Sequence, residues 1–413
     1  MKNKILLAIA DGVGDRPCEA LGWKTPLQYA DTGHLDALAK QGDCGLMDLY
    51  HAGIPVGTDL GHLILFGYGI EDYPGRGPIE AFGDGVELIG GDVAFRCNFA
   101  SVDEEGNVID RRAGRIREGT DQLAQALNGM KIGEVQVLFQ EATEHRAVLV
   151  LRGAGLSAAV SDTDPKKEGC PVKKALAKDS SSEAAYTAEI LNQVVEKAHQ
   201  ILKVHPLNKE RTDRGLLPAN SILTRGAGRM TRIEKITEKL GFSGCCVASE
   251  RTVLGVARLA GFDIMTDSAF TGNIDTDIEK KAAFAVEALK NHDFVALHYK
   301  ATDLMGHDNE PLGKVRAIEQ FDKMVGLAAE AVSKEINEPV IIALAADHST
   351  PCERCEHSGD PVPVVISGRN IRKDKVSSYD EIACAEGGLG RIKGEDFNCT
   401  LLDYLEVTVK QGN

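Results

Sequence analysis

Short apolar runs, separated by stretches of helical periodicity, restrict the fold of this chain more than any other feature. Residues 5–10 (ILLAIA) form the first run and end at Asp11. Others lie at 221–223, 245–248, 262–265, 294–298, 340–345 and 362–366. Between them, apolar residues recur at helical spacing over 35–41 and near 230–240, 251–260, 277–290, 313–335 and 396–406. A run with no alternating polar positions has no face for water, so it belongs in a strand covered on both sides. Such runs alternating with amphipathic helices predict an α/β fold: a mostly parallel sheet covered by helices on both faces.

The middle of the chain departs from this rhythm. From Gly91 the segments "GGDVAFRCNFASVDEEGNVIDRRAGRI", "VQVLFQEA" and "EHRAVLVLRG" read as strands, and a long amphipathic helix follows over 182–203. The polar, basic segment 206–218 reads as a return linker. The expected organisation is a core domain made of 1–85 and 215–413, with an α+β domain, 86–214, inserted into it. At 413 residues the chain is long enough for two such cores.

Composition removes several classes of function. A formal net charge of −15 repels nucleic acid and anionic membranes, so neither is an expected partner. No run of 18 or more apolar residues stands in the sequence, so no membrane span is expected. The first apolar run is cut short by Asp11 and reads as a strand rather than a signal peptide. Ten cysteines, mostly inside apolar segments, point to buried thiols in a reducing cytoplasm.

Glycine and cysteine motifs give little. "DGVGDRP" lacks the third glycine of a dinucleotide fingerprint, and no G-x-x-x-x-G-K-[ST] is present. Cys352-Glu353-Arg354-Cys355 lacks the adjoining His of a haem attachment site and a second Cys pair to complete a structural zinc site. The Asp and His residues are better organised. Asp11 ends the first run, Asp303 and His307 follow the run at 294–298, and Asp347 and His348 end the run at 340–345; His357 lies in the loop beyond. Open α/β sheets bind ligands beyond the carboxyl ends of their strands, where residues far apart in sequence meet. One Asp after a strand reads as a helix cap. Three Asp and three His together suit two divalent ions, and paired ions commonly clamp the attacking and leaving oxygens of a phosphoryl displacement. In "GIPVGTDLGH", Thr58 offers a hydroxyl at a helix start, where an anion is favoured; the simpler alternative is that Thr58 or Asp59 only caps that helix. In "DRRAGR", Asp110, Arg111, Arg112 and Arg115, with Arg96 and Asn98 upstream, form a basic knot in an acidic chain and suit an anionic substrate; the simpler alternative is an ordinary solvated strand edge.

These motifs, together with "KTPLQYADT", "GYGIEDYPGRGPIEAFG", "SDTDPKKEG", "KATDLMGHD", "ADHSTP", "HSGDPVPVVI" and "GGLGRIKG", run in order over nearly the whole chain. In them the sequence resembles the archaeal-type cofactor-independent (2,3-bisphosphoglycerate-independent) phosphoglycerate mutases of the alkaline phosphatase superfamily. The resemblance implies an alkaline-phosphatase-like core with an inserted substrate-holding domain. It implies Asp303, His307 and His357 as ligands of one metal ion and Asp11, Asp347 and His348 as ligands of a second. Manganese is the usual ion, with zinc, cobalt or magnesium as alternatives. It further implies Thr58 as a nucleophile that becomes phosphothreonine while 3-phosphoglycerate and 2-phosphoglycerate interconvert. Arg96, Asp110, Arg111, Arg112, Arg115 and His145 would hold the small phosphorylated substrate and exclude water; Arg225, Arg229 and Lys300 are further candidates for phosphate or carboxylate contact. The family usually carries Ser followed by Asp-Thr-Ala-His where this chain has Thr58-Asp59-Leu60-Gly61-His62. The alternative reading keeps the site and changes the reaction: a metal-dependent phosphohydrolase, or a mutase or phosphotransferase for another small phosphorylated metabolite. A non-enzymatic metal or redox sensor built on the Cys pair is a further rival.

Overall fold

In the computed structural model, which describes residues 3–231 and 233–412, strand Lys4–Ala10 is buried along its whole length. It pairs in parallel with Phe294–Tyr299 on one side and Val340–Ala345 on the other. Among the described residues these belong to an eight-stranded sheet. Its order is Asp263–Met265, Gly244–Val247, Phe294–Tyr299, Lys4–Ala10, Val340–Ala345, Val362–Ser367, Gly42–Asp48 and Gly390–Lys393. The pairings are mostly parallel, as the apolar runs predict. Val362–Ser367 is the exception, antiparallel to both neighbours. No crossover helix separates it from Val340–Ala345, and without one the chain returns in the opposite direction. Both ends of the connecting loop, which carries Asp347, His348 and His357, therefore stand at one edge of the sheet.

The amphipathic stretches form helices Gly33–Gln41, Ile236–Leu240, Arg251–Leu259, Ile278–Asn291, Pro311–Glu335 and Gly394–Tyr404. Arg232, inside the stretch expected to be helical near 230–240, lies outside the described residues. Among the described residues no helix is long and apolar enough to cross a membrane.

Two compact units divide the chain: Met1–Tyr73 with Glu234–Asn413, and Pro74–Ile233. The second unit is wider than the 86–214 expected from sequence. Strand Ser221–Arg229, read as part of the core, pairs antiparallel with Val93–Val102, and helix Arg76–Gly83 packs on these two strands. A short apolar run does not reveal its partner, and here the partner is the second sheet. That sheet is antiparallel, ordered Val108–Asp110, Val93–Val102, Arg146–Arg152, Val135–Glu141 and Lys131–Ile132, and helix Ser182–Lys203 lies against it. Segment 206–218 is not a plain linker. His205 caps a helix, Pro206–Asp213, that starts with proline at its first position, where the missing N–H costs nothing.

In the first unit, Lys314 of helix Pro311–Glu335 is fully buried, as is its partner Asp15, 2.8 Å away. The same ammonium donates to the carbonyls of Gly14 (3.2 Å) and Thr350 (2.9 Å). It thereby ties the loop after the first strand to the loop after Val340–Ala345. Lys314→Met strands the Asp15 carboxylate without its counter-ion, and such a broken buried pair costs about 3–5 kcal/mol. The expected outcome is a clearly lowered urea midpoint; an unchanged midpoint refutes this role.

Candidate functional site

The strand register decides what meets at the carboxyl edge of the first unit's sheet. Ala10 lies opposite Tyr299 and Ile9 opposite Ala345, so Asp11, Lys300 and Asp347 emerge together. The chain then turns sharply. Gly12 has φ +61° and donates its N–H to Asp347 Oδ1 (3.1 Å), and a Cβ there would run into Thr350 Oγ1 and the Asp303 carboxylate. Gly14 would likewise meet Ser349. The glycines of "DGVGD" serve close loop packing. Gly61 does the same for helix Thr58–Leu65, whose backbone sits against Asp347 too closely for a Cβ. Asp303 and His307 lie four residues apart on helix Ala301–His307, and so share a face.

The structure brings all six Asp and His residues together. His348 Nε2 is 3.4 Å from Asp11 Oδ1 and 3.2 Å from Asp347 Oδ2. His307 Nε2 and His357 Nε2 are 3.4 and 3.5 Å from Asp303 Oδ1 and 3.2 Å from each other. The His348 and His357 rings stack at 3.6 Å, which joins the two groups. Thr58 Oγ1 stands 3.3 Å from His348 Nε2. Gly57, not Thr58 or Asp59, is the N-cap of that helix, and no side chain caps it. The Thr58 hydroxyl therefore faces the cluster instead.

Hydrogen bonding fixes the tautomers. His307 Nδ1 donates to the Cys355 carbonyl (2.9 Å) and His357 Nδ1 to the Val56 carbonyl (2.8 Å). Thr350 Oγ1 donates to Asp303 Oδ1 (2.7 Å), so it accepts from His348 Nδ1 (3.0 Å). Each imidazole thus spends its proton outward and turns the Nε2 lone pair inward. Lone pairs that face each other and carboxylate oxygens at 3.2 Å repel; a divalent cation among them would turn each into a ligand, with the outward bonds as supports. Asp347 Oδ2 is buried with no hydrogen-bond partner among the described residues, as a ligand atom would be. Burial disfavours charge on Asp303, but the Lys300 ammonium beside it holds its carboxyl well below the usual carboxylate range.

Lys300, expected as a phosphate or carboxylate contact, bonds Asp11 Oδ1 (3.1 Å) and Asp303 Oδ2 (2.6 Å). Burial opposes its charge, yet Asp11 and Asp303 hold the ammonium above its ordinary range. Two buried histidines went unrecognised in the sequence. His62 Nδ1 donates to the Thr58 carbonyl (2.8 Å), and His298 Nε2 bonds Asp11 Oδ2 (2.9 Å). A signal existed: a histidine inside a wholly apolar strand or helix face requires a polar partner.

In the second unit the expected substrate-holding residues have differing partners and exposure. Arg96 and Arg225 are cross-strand neighbours, and Arg96 is held by Glu80 at 2.6 Å. Asp110 and Arg112 lie near enough to act on the charge of His145. His145 is buried, its Nδ1 has no hydrogen-bond partner among the described residues, and burial with Arg146 keeps it below its usual range. Arg111 closes its fork on Asp164, at 2.9 and 2.6 Å. Arg115, with φ +56°, and Arg229 at the end of its strand are exposed.

A family model described as 2,3-bisphosphoglycerate-independent phosphoglycerate mutase matches residues 39–208. The protein of that name from Methanopyrus kandleri is 47% identical over 419 residues, covering 100% of this chain and 99% of its own. Among solved structures, the PH0037 protein from Pyrococcus horikoshii is 37% identical with a TM-score of 0.83, and the match covers 100% of both chains. The cofactor-independent phosphoglycerate mutase from Thermoplasma acidophilum is 34% identical with a TM-score of 0.74, covering 98% of this chain and 100% of that one. With relatives this similar along its entire length, the chain belongs to the family of 2,3-bisphosphoglycerate-independent phosphoglycerate mutases.

Proposed function

We propose that this protein interconverts 3-phosphoglycerate and 2-phosphoglycerate, with Thr58 as the transient phosphoryl acceptor beside a pair of divalent ions. One observation carries the reading: three inward-facing imidazole lone pairs and three carboxylates converge beside the Thr58 hydroxyl. Asp303, His307 and His357 are the proposed ligands of one ion and Asp11, Asp347 and His348 those of the other, with manganese the first expectation. When bound, the ions would supply positive charge for the phosphoryl oxygens and make the threonine hydroxyl more acidic.

The chain's own residues would do the rest. Thr58 Oγ attacks phosphorus and the bond to the substrate's 3-oxygen breaks; glycerate takes up a proton there and stays bound. After it reorients, its 2-hydroxyl attacks phosphothreonine, loses its proton and releases Thr58 Oγ, which regains one. The start of helix Thr58–Leu65 presents N–H groups that favour the anionic group. His62 fixes the Thr58 backbone and His298 orients Asp11. In the second unit, the proposed role is to hold the anionic substrate and exclude water. Arg96 and Arg225 offer guanidinium groups, with Arg112, Arg115 and Arg229 as further cations. Arg111, locked to Asp164, supports that surface. His145, kept neutral near pH 7, suits taking or returning a proton. The proposed setting is the cytoplasm.

Three experiments test this. An assay with 3-phosphoglycerate and manganese, coupled to enolase, should show turnover while a parallel phosphate-release assay stays silent; phosphate release alone turns the reading into a phosphohydrolase. Thr58→Ala should lower turnover about 10⁴-fold or more while metal content is kept, and Thr58→Ser should restore most of it. Full activity in the alanine variant excludes Thr58 as the acceptor. Exhaustive chelation should abolish turnover and manganese should return it; Asp303→Ala should lower the metal bound per chain, measured by elemental analysis. Unchanged metal content in that variant removes Asp303 from the ligand set.

A further inference from the structure

The Cys-x-x-Cys motif is split by the fold. Cys355 is exposed, while Cys352 is fully buried and packs with Cys18, Leu21 and Val315. Single atoms of Asp15, Cys18 and Cys352 all lie within 4.8 Å of one another, which puts the two sulfurs within that distance. The trio is a poor metal site. The Asp15 carboxylate is already taken by Lys314 and by the N–H groups of Arg16 and Cys352. Two adjacent thiols are what remains.

We propose that Cys18 and Cys352 form an oxidative modification site, in which hydrogen peroxide closes a disulfide between them and lowers turnover reversibly. A cavity of about 240 Å³, lined by Arg16, Cys18, Glu353 and Arg354 among others, gives a molecule the size of peroxide access to Cys18, which makes Cys18 the first sulfur to react and Cys352 the second. One sulfur attacks a peroxide oxygen as thiolate; it becomes a sulfenic acid, and the departing hydroxide takes up the proton that the thiol gave. The second sulfur then attacks the sulfenic sulfur, loses its proton and expels water. Two thiols and one peroxide thus yield one S–S bond and two waters. Burial and then Asp15 push the Cys18 thiol up to about 12, and burial also raises Cys352, so the pair reacts slowly at neutral pH and faster as pH rises.

The bond would be felt at the site. Closing the sulfurs to bonding distance, about 2 Å, moves Cys352. Cys352 is joined through Pro351 to Thr350, whose hydroxyl orients both Asp303 and His348. Its own N–H is anchored on Asp15 at 3.2 Å, so the shift also strains the Lys314 tie. The effect on turnover rests on the function proposed above; formation of the bond does not.

The test uses the full-length, manganese-loaded protein treated with hydrogen peroxide. Free thiols are then alkylated, and peptides are mapped by mass spectrometry without reduction. The expected result is a Cys18–Cys352 linked peptide, lighter by two hydrogens and lost on reduction. Turnover should fall about 10- to 100-fold in step with it and return with dithiothreitol. Cys18→Ala and Cys352→Ala should each keep their starting turnover and resist peroxide. A Cys352–Cys355 link, alkylated Cys18 throughout, or the expected link with turnover unchanged would each overturn the proposal. Untreated protein that fails to interconvert phosphoglycerates overturns the functional reading alone, and the peptide map still decides whether the bond forms.

Discussion

Parallel hydrogen bonding of strand Lys4–Ala10 between Phe294–Tyr299 and Val340–Ala345 is the constraint on which the rest of the site depends. It sets Asp11, Lys300 and Asp347 side by side at one edge, although the sequence places them at opposite ends of the chain. A slip of one residue in either pairing would turn the exit side chains to the other face and scatter the cluster. The buried apolar side chains of these three strands therefore do two jobs, stabilising the core and fixing the geometry of the polar edge.

That edge is electrostatically expensive. Asp11, Asp347, Asp303 and His348 are all buried, and ionised carboxylates in such a place need nearby cations. Lys300 supplies one, bonded to Asp11 and Asp303, while Lys314 answers Asp15 in the loop after the first strand. The remaining need is written in the histidines. His307, His348 and His357 each give their Nδ1 proton to an oxygen behind them, leaving Nε2 to accept positive charge from within the cluster. Outward bonds of this kind hold a ring in one orientation and one tautomer, which is what a metal ligand requires.

The loop from Asp347 to His357 connects these effects to chain topology. Because Val362–Ser367 runs back antiparallel, one short connection serves both groups of side chains, and the Cys355 carbonyl within it holds His307. Cys355 itself has φ +55°, uncommon for a residue with a side chain, and marks the turn that aims its carbonyl. The two cysteines that looked like a motif point different ways: one belongs to the surface and the other to a buried contact with Cys18.

By itself the sequence determined the α/β class and marked polar residues at the strand ends, because apolar runs and helical periodicity are local and polar residues that end a buried strand stand out. Asp11, Asp303, His307, Asp347, His348 and His357 were legible for that reason. Only the tertiary structure decided what depends on partners distant in sequence. It assigned Ser221–Arg229 to the second sheet, where hydrogen bonding to Val93–Val102 overrides its likeness to a core strand. It set Lys300 between Asp11 and Asp303, and closed the Arg111 fork on Asp164. It revealed His62 and His298 as supports, and it paired Cys352 with Cys18 instead of Cys355. Spacing along a chain specifies which face a residue occupies, but a charge, an imidazole or a thiol acquires its role from the atom it meets, and that atom is chosen by packing.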